Sequence, residues 1–201
     1  MFLNSILAAG NPIKGKGLYA TSAGCHGQNG EGLHATNSPR LAGLKESYLV
    51  RQLQIFRSGL RGSNPQDIFG LQMASMANVL PDEQALEDVA AYIATLKANQ
   101  PRRTETSGDP NKGMEEYIVC TVCHGSTGRG FKGQLGSNPR YDSPRIAGQH
   151  DWYIIRQLQN FRDRVRGSVE DKPGAYMGAR AKPLRNDQTI KDIAGYLSTF
   201  K

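Results

Sequence analysis

The residues best suited to chemistry are the three cysteines and the histidines that follow two of them. Cys120-Thr121-Val122-Cys123-His124 spells CxxCH. Two thiols three positions apart at a helix end can each add across a vinyl group of one haem, giving two thioethers. The adjacent histidine then points an imidazole nitrogen at the iron from the proximal side. A redox CxxC needs no such histidine, and a zinc site needs further Cys or His ligands that this half of the chain does not offer. At the matching place in the first half stands Ser22-Ala23-Gly24-Cys25-His26, or SxxCH. A serine hydroxyl is too poor a nucleophile to form the thioether. The expectation is a haem held through Cys25 alone, with His26 as its proximal ligand.

The sixth iron ligand should be a soft thioether sulfur, placed by a loop ahead of each half's last helix. Met73 lies seven residues before Leu80, and Met177 seven before Leu184. This shared register makes the two methionines the paired candidates, whereas Met76 reads as core packing. A methionine ligand favours ferrous iron, raises the reduction potential and closes the iron to small molecules. That suits electron transfer better than catalysis. Pro39 and Pro144 follow the haem histidines, and their carbonyls could accept the imidazole N–H and fix the ring. Arg40 and Arg145 are candidates for pairing with haem propionates. His34 and His150 read as polar surface or capping residues, because His150 is matched by Lys45.

The elements that must position these groups are written twice. Pro39-Arg40-Leu41-Ala42-Gly43 returns as Pro144-Arg145-Ile146-Ala147-Gly148, Tyr48 as Tyr153, and Arg51-Gln52-Leu53-Gln54 as Arg156-Gln157-Leu158-Gln159. Phe56-Arg57 and Arg61-Gly62-Ser63 also return, as Phe161-Arg162 and Arg166-Gly167-Ser168. The offset in this block is 105, against 98 for the Cys-His pairs, so the second copy carries seven extra residues near Phe131 to Ser137. The chain is a tandem duplication. Residues 10–98 form one domain, 99–110 a polar, proline-containing linker, and 111–201 the second domain. Halves of ~90 residues are small enough that a bound cofactor would help complete each core.

Periodicity predicts three helices per half and no strands, an all-α class. The first helices cover Pro12 to Gly24 and Asn111 to Val122, and the middle ones Lys45 to Ser58 and Asp151 to Val165. The last helices carry Leu86, Val89, Ile93 and, in the second half, Ile190, Ile193, Leu197 at helical spacing. Gly15 with Tyr19, and Gly113 with Tyr117, predict a close approach to the last helix near Tyr92 and Tyr196.

With 201 residues, 21% charged and 38% hydrophobic, and a mean hydropathy of −0.53, the chain has no apolar run long enough to span a membrane. The +7 net charge comes without any run of five or six Lys/Arg, which disfavours nucleic acid and fits an acidic redox partner. Met1 to Ala9 reads like the end of an apolar signal segment, although it is short and lacks a basic n-region, and it is left out of the fold.

These marks together resemble the diheme cytochrome c4 family, two class I cytochrome c domains in tandem. YATSAGCHG and YIVCTVCHG, PRLAG and PRIAGQHDWYIIRQLQNFR, and the endings DVAAYIATL and DIAGYLSTF carry the likeness. The resemblance implies a periplasmic, soluble or peripherally membrane-associated electron carrier with two His/Met haems. Its partners would be a terminal oxidase or a quinol-oxidising complex. By position His26 pairs with Met73, and His124 with Met177. Ser22 departs from the family's cysteine. Two other functions stay open: the diheme subunit of a dehydrogenase such as a flavocytochrome c, and a diheme peroxidase, which would need an open iron site.

Overall fold

A computed structural model describes residues 9–97, 108–130 and 143–200. The apolar start before Ala9, most of the linker at 99–110 and the extra segment near Phe131 to Ser137 lie outside the described residues. The first half folds into α1 (Pro12–His26), α2 (Glu46–Arg57), α3 (Ile68–Ala77) and α4 (Glu83–Thr95). The second half gives α5 (Pro110–Tyr117), a 3₁₀ turn (Ile118–Cys120), α6 (Thr121–His124), α7 (Asp151–Arg162), α8 (Lys172–Ala181) and α9 (Asp187–Leu197).

Local chemistry sets the helix starts. Asn11 accepts from the backbone N–H groups of Ile13 and Lys14, and Pro12 fills the first helical turn, where its missing N–H costs nothing. Asp109 and Pro110 repeat the device at α5. Asp82 accepts from Ala85 N at α4, and Asn186 from Thr189 N at α9.

Three expectations change. Each half has an additional helix, α3 or α8, where a methionine loop was expected. Both are ten residues long and contain glycine. α3 is apolar nearly all round, so periodicity misses it, whereas α8 does carry an amphipathic pattern that a periodicity reading could have found. Their starts are marked by Asp67 and Asp171, which accept from Gly70 N and Gly174 N. The first helix of the second half is also not continuous. It tightens into the 3₁₀ turn at Ile118–Cys120 just before the Cys123-His124 pair. Finally, α7 ends at Arg162, short of Val165.

In each half the first and last helices cross where a side chain is absent. A Cβ on Gly15 would lie 1.9 Å from the Asp88 carbonyl oxygen, and one on Gly113 1.9 Å from that of Asp192. The glycines therefore let the backbones meet. Tyr19 packs on Tyr92 at 5.4 Å and Tyr117 on Tyr196 at 5.6 Å between ring centroids, as the spacing predicts. Asp88 accepts from Asn11 N and Asp192 from Asp109 N, both at 2.8 Å, tying each last helix to the entrance of the first. Leu86 and Ile190 are wholly buried at the two core centres.

The two halves meet along a polar seam. Gln52 of α2 accepts from Arg61 of its own half at 2.5 Å and from Arg166 of the other at 2.8 Å. Gln157 of α7 accepts from Arg166 at 2.5 Å and from Arg61 at 3.3 Å. Arg61 also reaches the Tyr153 hydroxyl at 3.2 Å. Away from this centre, Arg40 Nη1 donates to the Gly148 carbonyl, and Arg156 Nη2 to that of Asn37.

Candidate haem centres

α1 ends, and the 3₁₀–α6 stretch ends, on a histidine whose following glycine has positive φ (83° at Gly27, 75° at Gly125). The turn directs the chain back under the ring. Tyr19 Oη donates to the Gly27 carbonyl at 2.7 Å and Tyr117 Oη to that of Gly125 at 2.8 Å, pinning both turns. His26 Nδ1 lies 2.8 Å from the Pro39 carbonyl oxygen and His124 Nδ1 3.0 Å from that of Pro144. A proline carbonyl can only accept, so each Nδ1 carries the proton and Nε2 keeps its lone pair. Burial pushes both imidazoles below the usual histidine range, against the opposing pull of the carbonyl bond. A neutral ring with a free, fixed Nε2 is the form a metal ion needs.

Both histidines line one continuous cavity of about 460 Å³ that runs through both halves. Cys25 and Ser22 line it in the first half, and Cys120 and Cys123 in the second. All three cysteines are free and half-buried. Burial, with Cys123 beside it, pushes the Cys120 thiol up to about 11. Met73 on α3 and Met177 on α8 line the same cavity and pack on the two cores. Their sulfurs are thus presented by helices rather than by a loop. Met76 is half-buried and also lines the cavity, outside the core cluster in which the sequence placed it.

Arg40 and Arg145 line the cavity too, but much of their donor capacity is engaged by backbone. Arg40 donates to the Ala42 and Gly148 carbonyls, Arg145 to that of Ala147. Sequence reasoning missed Arg61 and Arg166 as site residues. Both are buried, both line the cavity, and each keeps a buried Nε without a partner. The signal was available, since Arg-Gly-Ser and the preceding glutamines recur in register. His150 also departs from its reading as a surface or capping residue. Its Nε2 donates to the Glu31 carbonyl at 2.8 Å across the seam, while its ring stacks on Trp152. His34 is exposed, with its ring edge-on to Trp152.

The repeated His–proline units belong to an identifiable family. The sequence matches the family described as Cytochrome c over residues 13–97 and again over 111–201. The chain belongs to the cytochrome c family. Within it, the resemblance is to tandem members. The cytochrome c4 of Azotobacter vinelandii is 32% identical over 200 residues, covering 95% of this chain and 88% of the relative. A protein described as thiosulfate dehydrogenase electron acceptor, from Stutzerimonas stutzeri (strain A1501), is 31% identical over 88% of this chain and 77% of its own. The crystal structure of reduced recombinant cytochrome c4 from Pseudomonas stutzeri superposes with a TM-score of 0.73 at 28% identity, covering 96% of this chain and all of that one. The all-α, two-domain cytochrome c architecture is therefore established, and with it a two-haem electron carrier rather than an enzyme. Among the described residues no helix is long and apolar enough to cross a membrane.

The residues fit that cofactor. Arg61, Arg156 and Arg166, each with a buried Nε that has no hydrogen-bond partner, bring three guanidinium groups to the seam side of the cavity, against the two carboxylates of Asp67 and Asp171. Unpaired buried cations are costly. The carboxylates of haem propionates are the partners such groups lack.

Proposed function

We propose that this chain is a periplasmic respiratory carrier that passes electrons to a terminal oxidase. Domains 10–98 and 111–201, joined by a linker at 99–110, would each hold one haem. His26 with Met73, and His124 with Met177, would hold the two haem irons. The observation that carries this reading is the repeated unit of a buried histidine, its Nδ1 held by a proline carbonyl, sharing a cavity with a methionine in register. Bound haem supplies a one-electron Fe(III)/Fe(II) couple, with its potential raised by methionine ligation. The chain's own residues orient the imidazoles, exclude water through the two apolar cores and offer Arg61 and Arg166 to the propionates.

Cys120 and Cys123 form two thioethers, and Cys25 forms one. Ser22 stands half-buried on the cavity wall where a second thiol would be needed. Intact mass under denaturing conditions, with a pyridine haemochrome spectrum, tests this. Two covalent haems are expected, with the haemochrome band of the first at longer wavelength because one vinyl stays unsaturated. Ser22→Cys should move that band to the position of the second. A single covalent haem refutes the single-thioether reading.

A second reading is favoured by the relative described as thiosulfate dehydrogenase electron acceptor. Here the chain accepts electrons from a dehydrogenase instead of a quinol-oxidising complex. Co-purification with a dehydrogenase subunit at fixed stoichiometry distinguishes the two.

A further inference from the structure

The duplication allows the same surface to be compared twice in one molecule, and the two domains differ at the cavity mouths. The first exposes Ile68, Leu71 and Val79 on and after α3, the second an apolar strip on its first helix. Met114, Ile118 and Val122 recur every four residues along α5, the 3₁₀ turn and α6, with Val119 beside them, and all four are 51–69% exposed. Their counterparts at the offset of 98 are Lys16, Ala20, Gly24 and Thr21, also exposed but charged, polar or small. The first domain folds with its set, so folding does not require an apolar strip here. Val119 borders the cavity together with Cys120 and Cys123, so the strip runs to the lip of the second haem site.

The segment around Met177, whose Arg180 lines the cavity, differs in charge. Aligning Met73 with Met177 sets Ile68, Met76, Asn78 and Pro81 against Lys172, Arg180, Lys182 and Arg185. All four cations are exposed, and no acidic residue interrupts them between positions 172 and 186. Residues 110–201 carry 15 Lys/Arg against 9 Asp/Glu, whereas residues 10–98 carry 8 against 7. The positive charge of the chain is thus concentrated on the second domain.

We propose that the mouth of the C-terminal domain is a docking surface for an acidic redox protein. The strip of Ile118, Val119 and Val122 would seat an apolar patch, and Lys172, Lys182 and Arg185 would steer the partner's acidic rim. The proposal rests on the carrier function above and adds the port and the chemistry of its partner. Apolar contact at the centre sets residence time, while the charged segment sets the encounter rate.

The test uses the full-length, haem-loaded protein and an oxidised acidic blue-copper protein as acceptor. One electron passes from ferrous haem, leaving it ferric, to Cu(II), giving Cu(I). Lys172→Glu/Lys182→Glu/Arg185→Glu should slow the second-order rate by about tenfold or more at low ionic strength and flatten its salt dependence. Ile118→Ser/Val122→Ser should slow it several-fold at every salt concentration. Lys16→Glu, on the matching helix of the first domain, should leave it within about twofold. Reduction of every variant by a neutral hydroquinone checks that both haems remain competent. Unchanged rates in the triple and serine variants overturn the proposal, as does an equal loss from Lys16→Glu or a wild-type protein inert to the copper protein. Haems that no reductant reaches would instead remove the carrier function on which the proposal stands.

Discussion

Replacing Gly15 with alanine tests the packing that places the first haem histidine. The new methyl carbon would sit 1.9 Å from the Asp88 carbonyl oxygen, 2.5 Å from its carbon and 2.9 Å from Tyr92 Cβ. Ordinary contact begins near 3.4 Å, so α1 and α4 must part by more than an ångström. The obstacle is backbone, which cannot swing aside as a side-chain end can. Overpacking of this kind costs about 1–3 kcal/mol. Parting the helices also loosens the Tyr19–Tyr92 contact and the Asn11–Asp88 bond, worth about 1–2 kcal/mol more. Alanine returns about 1 kcal/mol of helix propensity. The net loss is ~1–4 kcal/mol, or a melting temperature lower by roughly 2–16 °C for a chain of this length. Gly24→Ala is the control, because a Cβ there meets nothing within 4 Å and the twin position already carries Val122. Thermal unfolding of the haem-loaded proteins followed by circular dichroism reads both. A Gly15→Ala protein melting within a degree of wild type, or a Gly24→Ala protein falling as far, refutes the close-approach argument.

Four further outcomes are expected. Met177→Ala should lower the potential of the second haem and let added imidazole bind its iron, as potentiometry and absorption titration would read; an unchanged potential excludes Met177 as a ligand. Met73→Ala should do the same for the first haem, and a response from Met76→Ala instead would reassign that ligand. Arg166→Met removes a donor shared by Gln52 and Gln157 and should cost about 2–4 kcal/mol while loosening the domains, visible as a larger radius of gyration in solution scattering. Burial, aided by Arg40 and His34 and opposed by the Glu31 carbonyl and Asp151, holds His150 below its ordinary value. The folded state therefore binds this proton more weakly than the unfolded one. Its contribution is complete above about pH 6.5 and fades as pH falls below that, so docking should weaken in acid; His150→Gln should flatten this part of the profile.

The chemistry of each centre was legible because it is local. Cys123 and His124 are neighbours, and the repeated Pro-Arg-Leu/Ile-Ala-Gly block after each haem histidine marks Pro39 and Pro144 as its partners. The glycine–tyrosine pairs were legible because the duplication repeats them at matched positions. What escaped was non-local or unpatterned. The helix holding Met73 is apolar nearly all round and shows no stripe, and the one holding Met177 is interrupted by Gly174 and Gly178, although Asp171 and Pro173 mark its start. Arg61 and Arg166 stood out only as part of the repeat, since nothing in one half reveals that its arginine meets a glutamine of the other. His150 misled for the same reason: its partner, Glu31, lies 119 residues away.

The seam has a bearing on ancestry. Arg61 of the first domain reaches Gln157 of the second, and Arg166 of the second reaches Gln52 of the first. A contact set that reads the same in both directions is what two identical subunits form about a two-fold axis. A single-domain ancestor could have paired with its own copy through this patch. Gene fusion then needed no new surface, only a connecting segment. Away from the seam the copies differ, and serine at position 22 against cysteine at 120 is one such difference.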